Sequence, residues 1–154
     1  MSEPLIWIHG DCLDPRGPAL RRWPNARRIF VFDEAILDRY RVSFKRIVFL
    51  YESLLEIEGI EIHRGETVRV LLDAAAETGV AHLVTTESVA PGFRRTVRRL
   101  EIEGPLSVEV VPPDPFLTLA RGEDDRLDLK RFSRYWQAVK GRALSLNRSL
   151  DELM

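Results

Sequence analysis

The chain has few of the features that mark several large classes of protein. Its 154 residues include a single cysteine, Cys12, which excludes an internal disulfide and a zinc site made of cysteines. No apolar run is long enough to cross a bilayer, and the first residues lack the basic and apolar regions of a secretory signal. We therefore expect a cytoplasmic protein that does not associate with membranes.

Neither sign of charge is in clear excess. The 23 Lys and Arg residues nearly balance the 24 Asp and Glu residues, for a net charge of −1. Such a balance offers no global electrostatic attraction to nucleic acid, so direct DNA binding is not expected. Arginines do cluster locally, at Arg94–Arg95 and Arg98–Arg99. We favour a solvated helix face paired with Glu101 and Glu103 over a surface that contacts phosphates or an acidic partner.

The short motifs of common enzymes and nucleotide-binding proteins are missing. There is no Gly-x-Gly-x-x-Gly after a strand, no phosphate-binding Gly-Lys-Ser/Thr loop and no Gly-x-Ser-x-Gly elbow. The three histidines, His9, His63 and His82, lack the spacing of metal ligands. We therefore expect no metal site and assign no catalytic residue.

Short apolar runs alternate with longer stretches of helical periodicity. The runs are rich in β-branched and aromatic residues, as strands prefer, and apolar residues three and four apart predict helices between them. This alternation predicts an α/β fold with a parallel sheet covered by helices on both faces. The strands are predicted at Leu5–His9, Arg28–Asp33, Ile60–Arg64, His82–Thr86 and Leu106–Val111. The helices are predicted at Ile36–Ile57, at Glu66–Thr78, around Phe93, Val97 and Leu100, and from Leu127 to about Leu144.

The character of the chain changes after Pro112, where a turn-rich stretch leads into a charged one. We predict an α/β domain over residues 1–120, followed by a linker and a C-terminal helix over residues 121–154. Phe132, Tyr135 and Trp136 share one side of that helix. This side either folds back on its own domain or forms an interface with another chain, where aromatic residues are enriched.

Several collinear motifs resemble a known family. The stretch Trp7–Leu20 matches, without a gap, the opening Trp-Phe-Arg-Arg-Asp-Leu-Arg-x-x-Asp-Asn-Pro-Ala-Leu of DNA photolyases at five positions. Further similarities follow in order at Ile29–Leu37, Arg46–Leu54, Arg64–Gly79, Thr86–Thr96 and Arg131–Val139. Together they resemble the N-terminal α/β domain of the DNA photolyase/cryptochrome family along the whole chain.

The resemblance implies a Rossmann-like, three-layer α/β/α domain with a five-stranded parallel sheet in the order 3-2-1-4-5. In the family this domain helps to hold an antenna chromophore, such as a folate, a deazaflavin or a flavin, and a separate helical domain binds the catalytic FAD. FAD is therefore not expected within this chain. The resemblance implies a module that is not an enzyme by itself and that either binds a small chromophore or nucleotide or pairs with a separately encoded FAD-binding domain. A homo-oligomer is a further expectation.

The chain also departs from the family pattern near the antenna pocket. His9 and Gly10 replace two arginines, Thr86 replaces an asparagine and Thr96 replaces an aspartate. The antenna, a different ligand and no ligand at all therefore stay open as alternatives. A Rossmann-like protein that binds a nucleotide or another small ligand, with a sensing or stress role, is the alternative function, and a remnant without a ligand is the third.

The sheet order predicts where a ligand would bind. In a doubly wound sheet, ligands bind beyond the carboxyl ends of the strands at the switch point, which here lies between the first and fourth strands. The simpler alternative is that Asp11 caps the loop and His9 ends the strand. The predicted ligand-binding residues are His9, Gly10, Asp11, Thr86, Glu87 and Ser88.

Overall fold

The computed structural model describes residues 3–115, 117, 126–128 and 130–151. The chain forms two compact units, Met1–Asp114 and Pro115–Met154. The domain boundary predicted at residue 120 and nearly all of the charged linker predicted after it lie outside the described residues. Among the helices of the described ranges, none is both long and apolar enough to cross a membrane.

The first unit is built on a parallel sheet of five strands in the order β3-β2-β1-β4-β5, with helices on both faces. This confirms the predicted three-layer, Rossmann-like α/β/α fold and its 3-2-1-4-5 strand order. The strands are β1 Leu5–Ile8, β2 Arg28–Phe32, β3 Ile60–Arg64, β4 His82–Thr86 and β5 Ser107–Val111. The helices of this unit are α1 Pro18–Arg22, α2 Glu34–Arg39, α3 Phe44–Leu55, α4 Thr67–Thr78 and α5 Phe93–Glu103.

Strand β1 lies at the centre of the sheet and contributes to both cores. Leu5 and Trp7 point into the cluster that includes α4 and α5, whereas Ile6 and Ile8 point into the cluster that includes α1 and α3. All four side chains are buried. A central parallel strand is covered on both faces, which is why its sequence is apolar throughout rather than alternating.

The single helix predicted over Ile36–Ile57 is wrong, because two helices, α2 and α3, occupy this stretch. Arg41 has a φ of 49°, a left-handed conformation that cannot continue a helix. Ser43 then starts α3 by accepting a hydrogen bond from the Arg46 N–H at 3.3 Å. The apolar periodicity runs through the break because it reports which side chains share a face, not whether the backbone is continuous.

The apolar spacing of this stretch does not by itself identify the face that packs on the sheet. Only Leu50 and Leu54 of α3 are buried. Phe44, Tyr51 and Leu55 are exposed, at 78%, 49% and 61%. Helix α3 therefore has two apolar sides, one in the core and one toward solvent.

Helix α4 begins one residue later than predicted, because Glu66 is its cap and accepts a hydrogen bond from the Arg69 N–H at 2.9 Å. Gly79 ends it in the left-handed conformation, as predicted. The start of α4 is also joined to the end of β2. Buried Asp33 accepts hydrogen bonds from the N–H and the hydroxyl of Thr67, at 2.9 and 3.0 Å.

The second unit contains α6, Phe132–Asp151. This helix begins five residues after the predicted start at Leu127. The Asp128 side chain instead accepts a hydrogen bond from the Lys130 N–H at 3.2 Å and forms a turn before the helix. Along α6, Phe132 is 74% exposed and Val139 is buried, whereas Tyr135 and Trp136 are half-buried. The residues predicted to share one side of this helix therefore differ in their solvent exposure.

Candidate functional site

The switch point lies where β1 and β4 end side by side. Trp7 pairs with Thr85 in the parallel register, so the loops after the two strands leave the sheet together. The chain passes from β1 toward β2 on one side and reaches β4 and β5 on the other. This divergence leaves a crevice at the carboxyl edge, which is the usual ligand position in this class of fold.

His9 connects the two loops at this edge. Its Nε2 lies 2.7 Å from the Thr86 carbonyl oxygen, and its Nδ1 lies 3.3 Å from the Asp11 N–H nitrogen. A neutral imidazole with the proton on Nε2 donates to the first group and accepts from the second, so both contacts are satisfied. Burial lowers the pKa of His9, although the carbonyl opposes this effect. His9 is therefore a neutral side chain that links the two loops in a fixed orientation, rather than an acid that could protonate a ligand.

Aromatic packing holds the His9 ring in that orientation. Its edge meets Trp7 at 5.4 Å and Phe93 at 5.3 Å between ring centres. Trp7 and Phe93 in turn stack at 5.7 Å. Because β1, the loop after it and α5 each contribute one ring, this cluster fixes the loop relative to the sheet.

Two more contacts shape the same loop. The Ser88 hydroxyl donates to the Asp11 carboxylate, which joins the loop after β4 to the loop after β1. The Cys12 thiol contacts the backbone of His9, lying 3.2 Å from its nitrogen and 3.4 Å from its carbonyl oxygen. Burial raises the pKa of Cys12 to about 12, so the thiol stays protonated at neutral pH and is a poor nucleophile.

Beside this linkage lies a cavity of about 180 Å³, which we call the switch-point cavity. It opens at the carboxyl ends of β1, β4 and β5, and it has an apolar floor and a polar rim. The floor is largely aliphatic, and three aspartates contribute to the rim. The lining residues are Ile8, Asp11, Cys12, Asp14, Gly17, Pro18, Ala19, Leu20, Thr86, Pro113 and Asp114.

The rim of the switch-point cavity is electronegative. Asp114 forms a two-point ion pair with Arg21, at 2.7 and 2.9 Å, and these hydrogen bonds lower the pKa of Asp114. In the part of the chain that the structure describes, neither Asp11 nor Asp14 is in an ion pair. Of the three carboxylates, only that of Asp114 is therefore paired with a guanidinium within the described residues. Such a rim attracts hydrogen-bond donors or cations and repels phosphate groups.

One carboxylate of the rim also shapes the loop. Asp14 accepts a hydrogen bond from the Arg16 N–H at 2.8 Å, and its carbonyl accepts one from the Gly17 N–H at 2.9 Å. This turn, typical of an Asp-Pro-x-Gly sequence, leads directly into α1. The second carboxylate oxygen of Asp14 has no hydrogen bond to the protein in the described residues.

The predicted ligand-binding residues fall into three groups. Asp11 and Thr86 line the switch-point cavity, and His9 and Ser88 hold its two loops together. Gly10 and Glu87 do not line the cavity. A side chain at Gly10 would approach Leu50, and Glu87 lies in a separate groove beside α5.

Sequence reasoning missed Asp14 and Asp114. The Asp-Pro-Arg-Gly turn could have pointed to Asp14, since it closely follows Asp11 in the same loop. No local signal could have pointed to Asp114, because its partner Arg21 lies 93 residues away.

The arginine-rich helix α5 borders the second groove, which measures about 500 Å³. Arg99 forms ion pairs with Glu103 and with Glu66. No other arginine of α5 has an ion pair within the described residues, so the predicted pairing with glutamates holds for Arg99 and Glu103 only. The groove is lined by charges of both signs and by a few apolar side chains, namely Glu87, Phe93, Arg94, Val97, Arg98, Glu101 and Val110.

The aromatic residues predicted as a partner interface lie on α6. The rings of Phe132 and Trp136 stack, with 6.1 Å between centres and an interplanar angle of 11°. Phe132 is the most exposed of the three predicted residues, and Tyr135 beside it is half-buried. Phe132 and Trp136 are one helical turn apart, so their stacking stabilises the aromatic surface that the helix presents.

Across the described ranges, no group of three His, Cys, Asp or Glu side chains is arranged to hold a metal ion. Comparison with known proteins adds no identification. No protein-family model matches this chain, and no curated protein matches it.

Proposed function

We propose that this chain is a non-catalytic α/β module that binds the ring of a small aromatic heterocycle in its switch-point cavity. The observation that carries the proposal is the cavity itself, with an aliphatic floor at Ile8, Ala19 and Leu20 and a rim of carboxylates. An apolar floor suits a flat ring, and carboxylates accept hydrogen bonds from ring N–H and amino groups.

The size of the cavity limits the ligand. Its 180 Å³ is smaller than the roughly 300–1,000 Å³ of most sites for small molecules. A pterin-like bicyclic ring fits this space, whereas the rest of a folate or flavin would extend into solvent. The cavity therefore favours a ring-binding site over one that encloses a whole cofactor.

The charge of the rim favours a heterocycle over a nucleotide, which is the alternative function. A nucleotide site in this fold class usually holds phosphate at a helix N-terminus behind a glycine-rich loop. Here α1 is only five residues long, and the carboxylates of Asp11 and Asp14 lie near its start. Phosphate would be repelled at this position.

The resemblance to the antenna domain of photolyases and cryptochromes agrees with this proposal but rests on the sequence motifs. The strand order 3-2-1-4-5 is the one that the resemblance implies, yet this order serves proteins of many functions. A folate, a deazaflavin or a flavin is thus the first class of ligand to test.

The test uses the purified full-length chain. We expect an absorption band from a co-purifying chromophore, or saturable binding of added folate or riboflavin measured by fluorescence. Asp14→Asn should weaken this binding at least about tenfold, since a hydrogen bond to a charged acceptor is worth about 1.5–3 kcal/mol. Asp38→Asn, at an exposed position on α2, is the matched control and should leave binding unchanged.

Two results would refute the proposal. One is a colourless protein that takes up none of these compounds. The other is saturable binding of ATP that is stronger than that of the heterocycles, which would favour the nucleotide alternative instead.

A second function, pairing with a separately encoded FAD-binding domain, is supported by one observation, the exposure of Phe132 in its stack with Trp136. If the pairing uses this surface, Phe132→Ala and Trp136→Ala should abolish co-purification of such a domain. Unchanged co-purification would show that α6 is not the interface.

A further inference from the structure

Helix α3 carries an apolar stripe on the side that faces solvent. Phe44, Val48, Tyr51 and Leu55 follow one another at intervals of four, three and four residues, so they lie on one face of the helix. Val48 is half-buried and the other three are at least 49% exposed. The core-facing side, which includes Leu50, lies about a third of a turn away from this stripe.

The stripe is large for a surface that serves no contact. Aromatic side chains bury on the order of 150–250 Å² each, so the exposed parts of Phe44 and Tyr51, together with the smaller Leu55 and Val48, leave roughly 400 Å² of apolar surface on this face. Patches of this size on soluble proteins are often functional. Two copies facing each other would bury about 800 Å² of apolar surface, and the flanking side chains would bring the total near the 1,000–1,200 Å² of a weak specific interface.

Charge along one flank of the stripe identifies a fitting partner. Lys45 lies near the N-terminal end of α3, and Glu52 and Glu56 lie toward its C-terminal end, on the same flank. All three are exposed, and within the described residues none has an ion pair. The flank is therefore basic at one end and acidic at the other.

An antiparallel pair of α3 helices brings these features into register. Pairing the two ends of the stripe sets Phe44 opposite Leu55 of the second copy and Val48 opposite Tyr51. The same register places Lys45 between Glu52 and Glu56 of the second copy, because residues on one flank meet across a two-fold axis. In a parallel pair this flank would instead face the opposite flank of the second copy, so Lys45 would not meet Glu52 or Glu56.

We propose that this chain forms a two-fold symmetric dimer through the apolar stripe of α3, with the two helices antiparallel. The interface is self-complementary in both shape and charge, so it closes on itself and does not propagate into a fibre. It lies on α3, away from the switch-point cavity, and is independent of the proposed ligand. The occupant is a second copy of this chain.

The apolar part of the proposal is tested by measuring the mass of the full chain in sedimentation experiments up to about 100 µM, where a weak interface of this size should be populated. We expect a concentration-dependent dimer. Leu55→Asp should give a monomer throughout that range, with an unchanged circular dichroism spectrum because Leu55 is exposed. Ile102→Asp, a change at a 71% exposed position on α5, is the matched control and should still dimerise.

The charge part is tested by reversal. Lys45→Glu should weaken dimerisation about tenfold, and adding Glu52→Lys and Glu56→Lys to the same chain should restore it. Mixing a Lys45→Glu chain with a Glu52→Lys/Glu56→Lys chain should give a mixed dimer in preference to either self-pair.

Three outcomes would overturn the proposal. The full chain could be a monomer over the whole range, as expected if another segment of the same chain covers α3. Leu55→Asp and Ile102→Asp could have the same effect, which would place the interface elsewhere. Disruption by Leu55→Asp without rescue by charge reversal would rule out the antiparallel register.

Discussion

The link that His9 makes between the loops after β1 and β4 predicts a measurable loss of stability when it is removed. Two substitutions separate its contributions. His9→Phe keeps an aromatic ring against Trp7 and Phe93 but removes both hydrogen bonds, including the one to the Thr86 carbonyl at 2.7 Å. His9→Ala removes the ring as well.

The expected magnitudes follow from the contacts. In His9→Phe the Thr86 carbonyl loses its hydrogen bond in a buried residue, which costs about 1–3 kcal/mol of the free energy of unfolding. His9→Ala adds the loss of two ring contacts, at about 0.5–1.5 kcal/mol each. We therefore expect a total loss of about 2–6 kcal/mol for His9→Ala, always larger than for His9→Phe.

The difference in the free energy of unfolding between wild type and His9→Phe should depend on pH. Because burial holds the pKa of His9 below its ordinary value of 6.5, the unfolded chain binds the proton more readily than the folded chain. The stabilising effect of His9 is thus fully present above the unfolded value and is lost as the pH falls through 6.5 toward the lower pKa of the folded state. The difference in free energy of unfolding between the two proteins should therefore become smaller as the pH is lowered.

Urea unfolding followed by circular dichroism, at about pH 7.5 and about pH 5.5, measures these free energies. His63→Phe is the control, because within the described residues the His63 ring has its one hydrogen bond with the partly exposed carboxylate of Glu61, and the change should cost less than about 1 kcal/mol at the higher pH. Our interpretation of His9 fails if His9→Phe is as stable as wild type at the higher pH. It also fails if the gap widens on acidification.

Further predictions concern positions outside this link. Asp33→Ala should lower the free energy of unfolding by about 3 kcal/mol, because it removes the cap of α2 and leaves the N–H and hydroxyl of Thr67 without their acceptor. Asp38→Ala, at an exposed position on α2, is the control and should change this free energy by less than about 0.5 kcal/mol. Equal losses for the two variants in chemical denaturation would contradict this prediction. Gly79→Ala should cost about 1 kcal/mol in thermal unfolding because the residue has a φ of 67°, and an unchanged melting temperature would be inconsistent with that conformation. Cys12 is partly buried and its pKa is raised to about 12, so it should react only slowly with a disulfide reagent at about pH 8 until the protein unfolds, and rapid labelling of the native protein would contradict the raised pKa.

The secondary structure could be predicted where it depends on local patterns. The five strands are found within one residue of their predicted ends, because buried parallel strands are short apolar runs bounded by turn residues. The C-terminal end of α4 was predictable from Gly79 alone. The break between α2 and α3 was not, because it depends on the conformation of Arg41 and the cap at Ser43, which leave the apolar spacing unchanged.

The candidate site shows the same division. The position of the switch point followed from strand order, and the loops that hold His9, Asp11, Thr86 and Ser88 do meet there. Which of these residues face the cavity, and which only hold its walls, was not visible in the sequence. That distinction depends on the directions of side chains across two loops that are more than 70 residues apart.

The sequence by itself determined the alternation of strands and helices and the coverage of the sheet on both faces, because the periodicity of apolar residues is set by the local geometry of each element. Only the tertiary structure decided that the apolar stripe of α3 faces solvent and that the rim of the cavity is negative. The rim brings Asp14 together with Asp114. Contacts of this kind arise from the packing of distant segments, and no local pattern in the chain encodes them.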